Sequence, residues 1–228
     1  MEIQVPDNWR PRDYQLDLWK YLENGGKRAV AVWHRRAGKD LLSVNWCVTA
    51  ALKRKGLYWH LLPTYNQGRK IVWDGMTRDG RSFIEHFTKE LRSNVNNTDM
   101  RLELKSGSIY QVVGTEKGDR LVGANTVGVV FSAESVMEPR DCDLVRPILA
   151  ENGGWAVFIY TARGRNHGYD MFNMASRNDK WFCQRLSVDD KSGVSQEDKD
   201  AEREAGKPEE IIMKELYWTF EAKRNGTY

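Results

Sequence analysis

The feature that most constrains this chain is a continuous apolar run at residues 29–33, followed at once by a basic loop and then by a segment rich in helix-forming residues. An apolar run without alternating polar residues is typical of a parallel β-strand that is covered on both faces. Similar runs occur at residues 57–62, 127–131 and 155–160, with helical segments between them. Because strands alternate with helices, the sequence predicts an α/β fold whose mostly parallel sheet is flanked by helices on both faces.

Three segments lie outside this alternation. Residues 101–105 and 109–113 alternate polar and apolar residues around a Ser-Gly-Ser turn, which indicates a hairpin and therefore an antiparallel addition to the sheet. Residues 187–206 are dominated by Asp, Glu, Lys and Ser and are expected to be exposed. Residues 208–218 begin with proline and acidic residues, as the first turn of a last helix does.

Composition excludes several classes of protein. Nine Trp, nine Tyr and seven Phe in 228 residues supply a large core, since a chain of this size buries roughly 70% of its unfolded surface. No apolar stretch approaches about 18 residues and no basic-then-apolar leader begins the chain, so neither a membrane span nor secretion is expected. The net charge of +3 is too small for the whole surface to grip nucleic acid, so any DNA contact must be local.

The basic loop has the composition of a phosphate-binding P-loop. In such loops Gly permits close backbone approach, amide groups and a helix N-terminus surround the phosphates, and Lys neutralises their charge. Gly38 and Lys39 stand at the required positions. The pattern departs from the usual one at Trp33, which replaces the first glycine, and at Asp40, which replaces a magnesium-binding Ser or Thr but is still an oxygen ligand. The alternative is a basic turn at a helix start that binds no nucleotide.

Six short motifs span most of the chain: Arg12-Asp13-Tyr14-Gln15, Trp33-His34-Arg35-Arg36-Ala37-Gly38-Lys39-Asp40, Pro63-Thr64-Tyr65-Asn66-Gln67-Gly68-Arg69-Lys70, Leu121-Val122-Gly123, Val129-Val130-Phe131-Ser132 and Arg163-Gly164-Arg165-Asn166-His167. Taken together they resemble the ATPase half of tailed-phage large terminases, the motors that package viral DNA. The resemblance extends over residues 11–220.

By that resemblance the fold is a P-loop NTPase of the RecA-like, additional-strand class, and the activity is ATP hydrolysis that drives double-stranded DNA into a procapsid. The implied cofactors are ATP and Mg²⁺. The implied partners are double-stranded DNA, the portal protein and the small terminase subunit, with about five copies in a ring on the portal in the host cytoplasm. Residues 1–190 are expected to form the ATPase core. Residues 191–228 are expected to lead to a nuclease domain absent from this chain, so endonuclease activity is not expected.

The resemblance also assigns roles around the P-loop. Gln15 would read the adenine edge, the alternative being an exposed polar residue on an amphipathic helix. Lys39 would bind the β- and γ-phosphates, and Asp40 would contact Mg²⁺ directly or through water. Arg35 would act in cis as an arginine finger on the γ-phosphate, whereas Arg36 would hold the loop by a salt bridge. The nucleotide-binding set is completed by His34, Ala37, Gly38 and Leu41.

The acidic motif departs from the family pattern. After the strand at 127–131, Ser132 takes the position that holds Mg²⁺ through water, and Ala133 takes the position of the glutamate that polarises the attacking water. Two interpretations stay open: Ala133 marks a replaced catalytic Glu, or Glu134 does the chemistry in another register. If the strand persisted through this point, Glu134 would lie on the opposite face. A third possibility is that Ser132 simply caps a helix.

Two further basic segments receive roles by resemblance. The glycine-containing loop after residues 155–160 matches the coupling motif, which senses the γ-phosphate; the alternative is a solvated turn. Arg120 is assigned as an arginine that reaches a neighbouring subunit's nucleotide, although the family's arginine aligns better with Val122. The residues of the coupling motif are Thr161, Arg163, Arg165 and Asn166.

Two other functional classes remain open from sequence. A superfamily-2 helicase or translocase shares the glutamine before the first strand and the P-loop, but would carry an Asp-Glu-x-His motif and a second RecA-like domain. A catalytically silent nucleotide-binding module is favoured if Ala133 is the natural residue.

Overall fold

The computed structural model describes residues 5–116, 121, 123–133, 139–162 and 165–187. Within these residues the strands are β1 Arg28–Trp33, β2 Leu57–Leu62, β3 Arg92–Asn96, β4 Arg101–Leu104, β5 Ile109–Gly114, β6 Thr126–Ser132, β7 Trp155–Tyr160 and β8 Phe182–Leu186. The α-helices are α1 Leu16–Glu23, α2 Lys39–Lys53, α3 Tyr65–Gly68, α4 Pro139–Glu151 and α5 His167–Ser176.

All eight strands belong to one sheet in the order β3-β4-β5-β2-β6-β7-β1-β8. Every pairing from β5 to β8 is parallel, whereas β3, β4 and β5 pair antiparallel at one edge. The predicted α/β class, the parallel sheet and the antiparallel hairpin are therefore confirmed.

Three elements were not predicted from the sequence, and their composition explains why. Strand β3 is an edge strand whose side chains are mostly exposed, so it lacks an apolar pattern. Strand β8 forms the other edge and pairs only with β1 in this sheet. Helix α5 begins inside the predicted coupling loop. The helix predicted at residues 67–73 begins earlier, as α3, and continues as a π-helix at Arg69–Trp73.

The centre of the sheet places three strand ends side by side. Strands β6, β7 and β1 are consecutive neighbours, and Ser132 pairs with Ile159 while Val32 pairs with Tyr160. Nearly every residue of these strands is buried, which fixes their register because a one-residue slip would turn the wrong side chains inward. The residues that follow these strands therefore meet at one edge, where parallel sheets bind ligands.

The structure bears on the predicted absence of a membrane span but not on the predictions for the C-terminal part of the chain. None of the helices it describes is long and apolar enough to span a membrane. The predicted boundary at residue 190, the C-terminal segment and its last helix at 208–218 lie outside the described residues.

Candidate nucleotide-binding site

The loop between β1 and α2 has the backbone of a phosphate cradle. Arg36 and Gly38 both adopt the left-handed region, with φ of 64° and 73°. Gly38 is also the N-cap of α2, and a Cβ atom there would lie 3.1 Å from Nε2 of Gln15. Left-handed residues at a helix start turn successive amide groups toward one point, which makes a concave site for an anion.

Lys39 ties this loop to the neighbouring strand. Its ammonium donates to the carbonyl oxygens of Trp33 at 3.1 Å and His34 at 2.8 Å, and to Oγ1 of Thr161 at 3.0 Å. The Thr161 hydroxyl in turn donates to the Trp33 carbonyl at 3.1 Å. Burial lowers the pKa of Lys39 to about 8. The three donors of the ammonium are thus engaged, and one of them joins the P-loop to the predicted coupling segment.

Asp40 and Ser132 form an oxygen pair beside the ammonium. The Ser132 hydroxyl donates to Oδ1 of Asp40 at 2.6 Å, and Nε2 of His60 lies 3.5 Å from the same oxygen. Burial acts to raise the pKa of Asp40, but His60, Ser132 and Lys39 outweigh it, so the carboxyl pKa lies below its usual value. A carboxylate beside a hydroxyl is a donor set that suits a hard cation such as Mg²⁺.

His60 was missed by sequence reasoning, although the sequence carries a signal for it. It is a histidine inside an otherwise apolar strand, β2, and it is fully buried. A polar residue in a strand that is covered on both faces needs a buried partner, and Tyr110 and Asp40 are its neighbours here.

Gln15 is buried against the P-loop in this structure, and its predicted contact with adenine stays a prediction. Its side chain is only 2% exposed. Its Oε1 accepts from the backbone amide of Arg12 at 3.0 Å, and its Nε2 donates to the carbonyl of Ala37 at 2.7 Å. The hydroxyl of Tyr14 also donates to that carbonyl, at 3.2 Å. Because both amide atoms are engaged with backbone groups, Gln15 braces the P-loop.

A cavity of about 620 Å³ opens beside the loop, which is within the size range of small-molecule sites. Arg36, Lys39, Asp40 and Leu41 belong to its lining. Another part of the lining comes from a segment that the sequence did not single out, and its members include Met76, Arg78, Phe83 and His86. Arg36 is exposed and forms no salt bridge with the residues that the structure describes, so its predicted salt bridge stays a prediction.

His86 is a buried neutral histidine in this second part of the cavity lining. It is 2% exposed, and neither ring nitrogen has a hydrogen-bond partner among the described residues. Burial, assisted by the positive charge of Arg81, lowers the pKa of His86 to about 4 from an ordinary value of 6.5.

The His86 pKa predicts a pH dependence of stability. Between pH 6.5 and pH 4 the unfolded chain binds a proton at His86 that the folded chain does not, so stability falls as the pH falls. We expect His86→Leu to remove about 2 kcal/mol of the stability lost between about pH 8 and about pH 4.5, measured by urea unfolding. An equal pH dependence in wild type and His86→Leu would contradict the prediction.

Comparisons with known proteins agree with this geometry. No protein family model matches the sequence. The terminase large subunit of Thermus virus P23-45 is 26% identical over 185 residues, which is 74% of this chain and 37% of that protein. The large terminase ATPase domain of Thermus phage P74-26 has a TM-score of 0.75 at 20% identity, covering 96% of this chain and 100% of that one. This chain has the fold of the phage large terminase ATPase domain.

The terminase resemblance predicted from the motifs is therefore confirmed in sequence and in fold. A further structure with the same fold is the large terminase of a thermophilic bacteriophage in complex with ADP, with a TM-score of 0.75 at 12% identity over 92% of this chain and 54% of that one. The chain spans little more than a third of the length of the curated terminase that it matches.

Within the terminase fold, the structure brings together only part of the predicted coupling motif. Thr161 contacts Lys39. Asn166 instead caps α5, where its Oδ1 accepts from the amide of Gly168 at 3.1 Å, and the Arg165 guanidinium lies over the Tyr169 ring at 5.7 Å. Arg163, Arg120, Val122 and Glu134 lie outside the described residues.

The backbone at Ala133 bears on the prediction for Glu134, which assumed that strand β6 continues past Ser132. Strand β6 ends at Ser132, and Ala133 adopts a left-handed turn with φ of 64°. The Ala133 amide still donates to the carbonyl of Ile159 at 2.8 Å. Because the strand does not continue, strict alternation of faces no longer applies to the residue that follows.

Proposed function

We propose that this chain binds ATP and Mg²⁺ in the cavity beside the P-loop and serves as the ATPase domain of a phage large terminase. The observation that carries the proposal is the Lys39 ammonium, held at the carboxyl edge of β1 between two carbonyl oxygens and Thr161. A cation held there, beside a left-handed loop and a helix N-terminus, suits a triphosphate better than any neutral ligand.

In this proposal each residue of the loop has a separate role in phosphate binding. The amide groups around Gly38 donate hydrogen bonds to the phosphate oxygens, and Lys39 neutralises charge on the β- and γ-phosphates. Arg35 is exposed, and we assign it to the γ-phosphate in cis. Arg36, which lines the cavity, provides a second positive charge near the phosphates. Gln15 keeps the loop in shape through the Ala37 carbonyl.

Asp40 and Ser132 would hold the magnesium ion, directly or through water. Bound there, Mg²⁺ would neutralise the phosphate oxygens as charge moves to the leaving group. The short contact between the Ser132 hydroxyl and the Asp40 carboxylate already places the two oxygens together. This arrangement explains how Asp can replace the usual Ser or Thr without losing an oxygen donor.

Hydrolysis needs a group that orients the attacking water, and Ala133 has no such group. A silent nucleotide-binding module is therefore the second candidate function, favoured by the methyl side chain at this position. In the motor interpretation the chain binds nucleotide normally but hydrolyses it slowly.

Coupling to DNA rests on the contact between Lys39 and Thr161. A phosphate that draws the ammonium away from Thr161 would release the segment after β7, which provides a mechanical output for nucleotide binding. We propose that the output moves double-stranded DNA by contacts to its phosphates. The remaining parts of the proposal are a ring of copies on the portal, delivery of DNA by the small subunit, and action in the host cytoplasm.

Calorimetry tests the proposal directly. With saturating Mg²⁺, the chain is expected to bind ADP and ATP-γ-S but not AMP, because the P-loop contacts the β-phosphate. Adding linear duplex DNA should then stimulate ATP turnover, which distinguishes a motor from a silent module. No heat with either nucleotide would overturn the ATPase proposal.

A further inference from the structure

A buried polar chain behind the P-loop connects strand β5 to helix α2. The Tyr110 hydroxyl lies 3.1 Å from Nδ1 of His60, and Nε2 of His60 lies 3.5 Å from Oδ1 of Asp40. Tyr110 and His60 are both fully buried. The distance from Nε2 to the Asp40 oxygen is longer than that of a good hydrogen bond. Among the described residues Nε2 has no other hydrogen-bond partner. A buried ring nitrogen left in this state is costly, so it marks a contact that matters.

The hydrogen-bonding capacity of each group decides which of them donates and which accepts in this series of contacts. An ionised carboxylate only accepts hydrogen bonds, so a favourable contact with Asp40 requires the proton of His60 on Nε2. In the neutral ring, Nδ1 is then an acceptor and the Tyr110 hydroxyl is its donor. Tyr110 is itself held by Phe87, whose ring centroid lies 4.7 Å away. One tautomer of the imidazole therefore satisfies both Asp40 and Tyr110, and the contact with Tyr110 restricts the orientation of the ring.

Asp40 needs such support more than a Ser or Thr would. Its carboxylate has two equivalent oxygens on a side chain that rotates, and Ser132 holds only Oδ1. In the proposed function Ser132 also takes part in holding Mg²⁺, which competes with its hold on Asp40. His60 contacts the same Oδ1 from within the core, where the metal does not compete for it.

We propose that His60 is a positioning residue, whose buried imidazole keeps the Asp40 carboxylate in one orientation toward the nucleotide cavity and so tunes magnesium affinity. The proposal rests on the proposed nucleotide site. Groups that orient the ligands of a metal commonly change metal affinity by about 10- to 100-fold when they are removed. His60 does not line the cavity, so it acts only through Asp40.

The test is calorimetry of ADP binding to the full chain, with Mg²⁺ and with EDTA. His60→Leu is expected to weaken ADP binding about tenfold in Mg²⁺ and to leave binding in EDTA unchanged. His60→Gln keeps an amide donor near the position of Nε2 and should recover most of the affinity. Thermal unfolding shows that each variant is folded. If His60→Leu does not fold, Tyr110→Phe, which only frees the ring orientation, is expected to give a smaller loss of the same kind.

A second background separates positioning from packing. In an Asp40→Ser chain, His60→Leu is expected to have no further effect on Mg²⁺-dependent binding, because the group that His60 positions is gone. A loss of equal size in Mg²⁺ and EDTA, or one that persists in the Asp40→Ser background, would overturn the proposal. If the wild-type chain binds ADP in Mg²⁺ and His60→Leu binds it with the same affinity, the proposed role of His60 is refuted but the nucleotide site is not. Wild-type chain that binds no ADP refutes the nucleotide site as well.

Discussion

Lys39→Ala is expected to lower ATP turnover by about 10²- to 10³-fold, the usual effect of removing one preorganised donor to developing charge. In this structure the Lys39 ammonium donates to the Trp33 and His34 carbonyls and to Thr161, and these contacts keep it beside the P-loop. Its removal deletes the cation beside the phosphates and cuts the contact to the coupling segment. Nucleotide affinity should fall as well, since in the proposed site Lys39 also binds the phosphates of the ground state.

Lys53→Ala is the matched control for Lys39→Ala. Lys53 is the last residue of the same helix, is exposed, and lies at the end away from the loop. Turnover and ADP affinity should match wild type in this variant. Turnover in Lys39→Ala that equals the control would show that the P-loop does not carry the activity.

The centre of the sheet could be predicted from sequence because burial on both faces leaves a distinct pattern. The apolar runs at 57–62 and 155–160 coincide with β2 and β7 as the structure has them. The edge strands carry no such run: among the described residues each has a neighbouring strand on one side only, and much of β3 is exposed. Prediction from apolar runs therefore succeeded in the interior of the sheet and failed at its edges.

The same contrast holds for the site. The P-loop residues are contiguous, so their identity and spacing were visible before their geometry. His60 and His86 come from distant parts of the chain, and only the fold brings them near Asp40 and the cavity. The contacts of Gln15 with the P-loop could not be predicted for a related reason: its burial depends on how residues 12–15 pack against the loop, which spacing alone does not show.

Ala133→Glu is expected to raise ATP turnover by about 10²- to 10³-fold, the usual contribution of a positioned general base. Position 133 directly follows Ser132 at the carboxyl edge of β6, and its amide is anchored to Ile159. A carboxylate there would stand beside the oxygens proposed to hold Mg²⁺. The left-handed backbone, with φ of 64°, strains any residue that carries a Cβ atom by about 1 to 2 kcal/mol, and Ala133 already has one. Ala133→Glu adds no further strain of this kind, so the variant is expected to remain folded.

Ala133→Gln distinguishes the effect of the carboxylate group from the effect of side-chain size. It has nearly the same size and the same backbone cost as Ala133→Glu but cannot accept a proton from water, so its turnover should stay at the wild-type level. The second comparison is Glu134→Gln in the parent chain. If Glu134 is the base, this substitution lowers turnover and Ala133→Glu adds little. If turnover rises with Ala133→Glu and does not respond to Glu134→Gln, the missing base belongs at position 133, because a carboxylate restores hydrolysis only where it can reach the attacking water.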